Sequence, residues 1–273
     1  MIWQMLEGRD VTPKYMICGC PKHGLHLLAG LVQGYVSPIP ESIYNKNHWT
    51  GTFKLNSFAP IWQNMERWFF LASRLQQGHY TQGHIGHRQD IADFLRLSRT
   101  AFVFIYRDLR DVAVSMAHHI MGGPNDNKHP ARNAYRALGG FDEILTACIE
   151  GLTPFPGVIG LWELYADWLN EDWILSVKYE DVVSNLEKVA QDIVEYGLDQ
   201  ITRDIWETRF RVEKAIFDNV VNQMVDLARR TDLSPTFRKG QPGEWQGVFK
   251  PEHITAFKKA DKKKWVEALG YSW

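Results

Sequence analysis

Lys22 lies in a stretch at 15–36 that reads YMICGC, then PKHG, then LHLLAGLVQGYV. Tyr15 to Cys20 is a short apolar run that predicts a buried strand ending at Pro21, and Leu25, Leu28, Leu31 and Tyr35 recur at helical spacing. A tight loop broken by Pro21 and Gly24 therefore delivers Lys22 to the first turn of a helix. Backbone N–H groups there lack helical partners and the helix dipole is positive, so the place suits an anion. An ordinary strand-to-helix turn with a solvated lysine is the alternative. Gly19 and Gly24 have the spacing of the loop G-x-x-x-x-G-K-[ST], but Leu25 and His26 stand where its Lys and Ser/Thr belong. The hydroxyl that would hold Mg²⁺ is missing, which argues against a standard ATPase.

Two further stretches suit an anion. AFVFIY at 101–106 is a continuous apolar run, as expected of a central parallel strand covered on both faces. It leads into RDLRDVAVSMAHHI, where Val112, Met116, His119 and Ile120 continue one helical face. Arg107 leaves the strand end and Ser115 lies early in the helix, so both can face an anion at the helix start. Arg110 and Asp111 are candidates for a structural ion pair. In FRKGQPGEW at 237–245 the glycines and proline exclude regular structure. Arg238 and Lys239 beside Gly240 give two cations and a closely approachable backbone, either a phosphate clamp or a solvated basic loop. His84 and His87 fall in the turn before a helical face begun by Ile91, Phe94 and Leu95. Their spacing could suit a metal, but no carboxylate or cysteine stands close by, and two surface histidines are the plainer reading.

Length and composition bound the rest. With 273 residues, 45% hydrophobic and 23% charged, the chain is ordinary for a globular protein. A net charge of −1 gives no general attraction to nucleic acid or anionic membrane, so any anion site is a local cluster. Cys18 and Cys20 have apolar neighbours and read as reduced core thiols. The start of the sequence shows no signal-peptide pattern and no apolar run approaches roughly 18 residues, so no membrane span and a reducing cytoplasm are expected.

The elements that must position the candidate residues follow in order. Residues 37–60 read as an irregular, aromatic-bearing loop region and 61–75 as a core helix. Residues 122–140, bounded by paired glycines, read as a mobile loop or lid. Phe141 to Gly151 and Trp162 to Leu169 read as short helices, and Trp173 to Tyr179 as a further strand. Ser184 with Glu187 offers a capping box for a helix that stops at Gly197. Residues 201–233 read as helical in two pieces. Pro251 to Leu269 reads as one amphipathic helix whose lysines form a solvated face. The expectation is an α/β fold, a single domain over 1–273 with a central parallel sheet of about four or five strands flanked by helices.

Placed side by side, these blocks resemble the sulfotransferases that use 3′-phosphoadenosine 5′-phosphosulfate (PAPS). Pro21, Lys22 and Gly24 match the phosphosulfate loop P-K-S-G-T-T-W, with His23, Leu25, His26 and Leu27 departing from it. Residues 107–115 resemble the 3′-phosphate segment R-[DN]-P-[RK]-D-x-x-x-S, with Leu109 in place of the proline. Residues 238–245 resemble the loop R-K-G-Q-x-G-[DE]-W almost letter for letter, and Y-E-D at 179–181 matches the family's motif. Thr208 and Phe210 loosely match its T-S-F adenine contact.

The resemblance implies a P-loop-like sulfotransferase fold and transfer of a sulfuryl group from PAPS to a hydroxyl or amine of a small or medium acceptor. The product is adenosine 3′,5′-bisphosphate (PAP), and no metal is expected. Lys22 would stabilise the leaving group and His84, after Gly83, would be the general base. Lys22, His23, Gly24, Leu25 and His26 would hold the 5′-phosphate side, the latter two through their backbone. Arg107, Ser115, Arg238, Lys239 and Gly240 would hold the 3′-phosphate, with Tyr179, Thr208 and Phe210 at the adenine. Leu27 removes the tryptophan that normally stacks on adenine. The family's C-terminal dimer motif is absent, and the oligomeric state is left open. A PAP- or PAPS-binding protein without catalysis and a P-loop kinase are the alternative functions.

Overall fold

The computed structural model describes residues 12–38, 73–122, 132–202, 214–230 and 240–273. It divides into two compact units, residues 1–106 with 168–237, and residues 107–167 with 238–273.

The first unit is built on a parallel sheet. Its strands are β1 (Tyr15–Gly19), β2 (Ser37–Pro38), β3 (His79–Gly83), β4 (Ala101–Tyr106) and β7 (Leu175–Lys178), in the order β2-β3-β1-β4-β7. Every pairing in it is parallel. β1 and β4 are the apolar runs read from the sequence, and both are buried along almost their whole length. Alternation of side chains divides them between two faces. Tyr15, Ile17, Val103 and Ile105 pack with the helices Leu25–Gln33, Leu186–Thr202 and Lys214–Ala228. On the other face Phe102 meets Trp168, the ring centroids 4.3 Å apart.

β3 has no counterpart in the sequence reading. Its sequence HYTQG lacks a clear apolar pattern, yet Thr81 and Gln82 are buried. β7 ends at Lys178, and Tyr179 opens the helix Tyr179–Ser184 rather than closing the strand. Ser184 ends that helix, so it does not cap the next one, which starts at Leu186.

That next helix runs to Thr202, past the stop expected at Gly197. The glycine serves a contact instead. A Cβ at Gly197 would lie 1.8 Å from the Tyr15 hydroxyl, which donates to the Ile193 carbonyl at 2.8 Å. The close approach of strand and helix requires the missing side chain.

The second unit is helical apart from the hairpin β5 (Gly151–Leu152) and β6 (Phe155–Pro156). The helix Leu109–Met121 packs on Phe141–Glu150, which also packs on Pro251–Ala260. The expected helix at Trp162–Leu169 is instead the end of a helix over Val158–Trp162 and a 3₁₀ turn over Ala166–Asn170. The expected helix from Pro251 to Leu269 is two, Pro251–Ala260 and Trp265–Ala268. Asp261 makes the break, its carboxylate accepting from Trp265 N at 2.7 Å and Val266 N at 3.1 Å. Of the expected lid, Arg132–Arg136 is helical, and the Arg136 guanidinium donates to the Ile120, Met121 and Gly122 carbonyls. The readings for residues 39–72, 123–131 and 203–213 lie outside the described residues. Among the described residues no helix is long and apolar enough to cross a membrane.

Gly197→Ala should destabilise the protein by about 1–3 kcal/mol, the usual scale of overpacking. Denaturant melts of Gly197→Ala, Tyr15→Phe and the double variant check it. Removing the hydroxyl should recover part of the alanine penalty, and strictly additive losses would contradict the contact.

Candidate active site

In the first unit, several candidate residues meet at the C-terminal end of β1. The sheet ends there at Gly19, where a Cβ would lie 2.7 Å from Ile105 Cγ2. Beyond it the chain turns through Cys20 to Gly24 and enters the helix Leu25–Gln33. Lys22 has φ 72° and Gly24 φ 98°, both left-handed, so the loop doubles back tightly. His23 is fully buried, its Nδ1 3.2 Å from the Pro21 carbonyl. Gly24 caps the helix, and the cap carries no side-chain hydrogen bond. Leu25 is buried, while His26 and Leu27 are half-buried.

Two distant stretches reach this loop. Tyr179, the first residue of its helix, packs on Gly24 so closely that a Cβ there would lie 2.4 Å from the tyrosine ring. His84, one residue beyond β3, sets its Nδ1 2.6 Å from the Gly19 carbonyl. A carbonyl only accepts, so Nδ1 carries the proton and Nε2 is the basic nitrogen of the neutral ring. Lys22, His84 and Tyr179, far apart in sequence, thus belong to segments that meet at one strand end.

The turn that carries His84 is tied to the same sheet. Ile85 N donates to Cys18 Sγ, and that thiol lies 3.4 Å from the Ile85 carbonyl. Burial pushes the Cys18 thiol up to about 12, so it is a structural group and not a nucleophile. His87 does not accompany His84; its Nε2 lies 2.9 Å from Glu171 Oε1.

In the second unit, Arg107 and the helix Leu109–Met121 form a polar network with the 240–245 loop. Asp108 caps the helix by accepting from Arg110 N at 2.9 Å. It also takes the Arg110 guanidinium in a two-pronged pair, Nε to Oδ1 at 2.9 Å and Nη2 to Oδ2 at 2.7 Å. Arg110 Nη1 donates to the Ser272 carbonyl, and the guanidinium carbon stands 3.8 Å from the centre of the Trp245 ring. Arg110 is therefore the structural arginine, and its partner is Asp108 rather than the Asp111 suggested by sequence.

Asp111 does something the sequence did not disclose. It accepts from Gly243 N at 2.7 Å and Trp245 N at 3.0 Å, and so fixes the loop after Gly240. Arg107 Nη2 donates to the Gln241 carbonyl at 3.2 Å and lies 3.5 Å from Asp111 Oδ2. Burial raises the Asp111 carboxyl above its ordinary value, with Trp245 N–H, Arg107 and Gly243 N–H pulling it back. Gly240 has φ 65° and Gly243 φ 78°, which explains the glycines of this loop. Arg107 is buried and Ser115 half-buried, seated well inside the helix rather than at its start. Thr208, Phe210, Arg238 and Lys239 lie outside the described residues. Among the described residues no group of three or more His, Cys, Asp or Glu is placed to hold a metal.

The chain matches the sulfotransferase domain over residues 44–268. It belongs to that family, the PAPS-dependent sulfotransferases. The Lys22 loop lies before the matched residues. Among solved structures, the chain is similar to the mouse sulfotransferase SULT7A1 complexed with PAP, at 16% identity, a TM-score of 0.55, and coverage of 99% of this chain and 88% of that one. It is also similar to retinol dehydratase in a complex with retinol and PAP, at 18% identity, a TM-score of 0.50, and coverage of 100% and 85%. These likenesses show the fold. No curated protein matches the chain.

Asp111→Ala orphans the Gly243 and Trp245 N–H groups, and each buried donor left unsatisfied costs about 1–3 kcal/mol. Chemical denaturation should show a stability loss on that scale. An unchanged midpoint would mean that the 240–245 loop is held by something else.

Proposed function

We propose that the chain acts as one sulfotransferase domain over 1–273, using PAPS as donor and a small or medium alcohol, phenol or amine as acceptor. What carries the reading is the meeting of the Lys22 loop, His84 and Tyr179 at the end of β1. The donor supplies a sulfuryl group on an activated phosphate leaving group. His84 Nε2 takes the proton of the acceptor hydroxyl as its oxygen forms the new bond to sulfur. The S–O bond to the 5′-phosphate breaks and its electron pair stays on that phosphate, where Lys22 offsets the growing negative charge.

The backbone N–H groups of the first helical turn, from Gly24 to His26, hold the 5′-phosphate side. His23 shapes the loop from its buried position, and Tyr179 lies on the adenine side. Arg107, Ser115, Gly240, Arg238 and Lys239 hold the 3′-phosphate, with Thr208 and Phe210 assigned to the adenine on resemblance alone. No step needs a metal. Retinol, named with retinol dehydratase, is an alcohol of the acceptor class inferred here.

A second reading, a bisphosphate-binding protein without transfer, draws on one observation. Leu25 is buried, and Leu27 packs against the core, so neither offers the loop a polar side chain. Incubation with radiolabelled PAPS and a panel of alcohols, phenols and amines separates the two. Label in an acceptor establishes transfer, and PAP binding with no labelled product establishes the second reading.

PAP should raise the melting temperature, because a ligand that binds only the folded chain stabilises it. Arg107→Ala should remove most of that shift. Equal stabilisation of the wild type by AMP would overturn the 3′-phosphate assignment.

His84→Ala should keep the PAP shift and lower turnover by about a hundredfold or more, the scale of a lost general base. Near-normal turnover of this variant with an aliphatic alcohol would remove His84 from the role.

A further inference from the structure

A base on a turn is useful only if the turn is held. His84 lies in the connection between β3 and the helix Gln89–Leu97, and connections between elements are usually the more mobile parts of a fold. Its first half is tied to β1 through the Gly19 carbonyl and Cys18. Its second half is tied to the segment that leads into β7. Trp168 Nε1 donates to the Ile85 carbonyl at 2.8 Å, and the same indole makes a T-shaped contact with the His87 ring, centroids 4.8 Å apart and planes at 80°. His87 Nε2 bonds Glu171 Oε1 at 2.9 Å, and the other carboxylate oxygen accepts from Trp173 Nε1 at 2.8 Å. Both members of the pair are only 14% exposed, so the bond is shielded from water where such contacts are strongest.

We infer that Glu171 and His87 are positioning residues, a brace that holds the 84–88 turn so that His84 keeps its Nδ1–H on Gly19 and its Nε2 as the base. The inference rests on His84 being the base. Neither Glu171 nor His87 touches the reacting atoms. The carboxylate is fixed by Trp173, orients the His87 ring, and through it the far end of the turn. Trp168 locks the middle. Misplacing a catalytic group by about 1 Å can cost on the order of a hundredfold in rate, so a brace remote from the chemistry has a measurable kinetic signature.

The test uses the full chain and compares Glu171→Ala, His87→Phe and His87→Gln. Phe keeps a flat ring against Trp168 but loses the donor, whereas Gln places an amide N–H where Nε2 was. Glu171→Ala and His87→Phe should lower kcat by about tenfold to a hundredfold, with KM for PAPS and the PAP-induced rise in melting temperature retained. His87→Gln should stay within about threefold of the wild type, since the donor to Glu171 is restored. Wild-type kcat in His87→Phe overturns the inference. So does His87→Gln failing as badly as His87→Phe, which would make the imidazole itself chemical. A parallel loss of kcat and of the PAP shift also overturns it, because the pair would then be holding the fold. Should His87→Phe not fold, Trp173→Phe removes one bond from Glu171 and should lower kcat in the same direction; an unchanged kcat there overturns the brace. A wild type that binds PAP but transfers nothing overturns the function reading first and the brace with it, whereas transfer that survives His84→Ala removes the base alone.

Discussion

Gly19 is the residue on which the candidate site depends. It is the last residue of β1, flanked by β4, and β4 comes so close that no side chain fits beside Ile105. Its carbonyl is therefore fixed by the sheet and cannot swing away. His84 uses that carbonyl to set its tautomer and its direction. One residue further on the chain must leave the sheet and enter a helix at once, and the left-handed turns at Lys22 and Gly24 accomplish it. Tyr179 then closes over Gly24, which has room for its ring only because the glycine has no Cβ. A strand end thus brings together His84, the lysine-bearing loop and the Tyr179 ring.

The second unit meets a different problem, how to hold several buried charges close together. Two arginines and two aspartates sit within five residues, at 107, 108, 110 and 111. Buried charges are costly unless paired and hydrogen-bonded. Asp108 and Arg110 satisfy one another, with Trp245 and the Ser272 carbonyl completing the arginine. Asp111 is committed mainly to backbone N–H groups of the 240–245 loop. Arg107 reaches both Asp111, at 3.5 Å, and the Gln241 carbonyl, at 3.2 Å. The network thus couples the arginine segment to the glycine-rich loop through Asp111, Arg107 and Arg110.

Much of this was legible from residue types. β1, β4, the strand near 175 and the helices from 25, 89, 109, 141 and 186 follow from apolar period and glycine or proline breaks. The polar strand β3 did not, because Thr81 and Gln82 are buried by neighbours that no local pattern reveals. Gly197 was misread for a related reason. A glycine inside a helical pattern looks like a stop, and only the Tyr15 hydroxyl across the unit shows that it is a contact. Trp162, Tyr165 and Trp168 recur every third residue, a spacing shared by an α-helix and a 3₁₀ turn, and the structure uses both in succession. At the candidate site, motif resemblance pointed to His84 and Arg107. It was silent on Glu171, and it gave no hint that Asp111 binds Gly243 and Trp245, far away in sequence. Such residues carry no local signature, since their role is defined by what the fold brings to them.

The departures in the phosphosulfate loop bear on how an anion is held there. Side-chain hydroxyls add hydrogen bonds, but the main-chain N–H groups at a helix start are present whatever the side chains are. In this chain Leu25 and Leu27 turn to the core, where Leu25 is buried and Leu27 packs against it. Burial of Leu25 and packing of Leu27 anchor the helix start to the core. Its cap carries no side-chain bond, so nothing from Gly24 competes for the N–H groups of the first turn. In the proposed reading the loop trades side-chain donors for a rigid backbone cradle and a single lysine. Discrimination between nucleotides then falls to groups that recognise the 3′-phosphate, and the charge network at 107–111 includes Arg107, which is assigned to that phosphate.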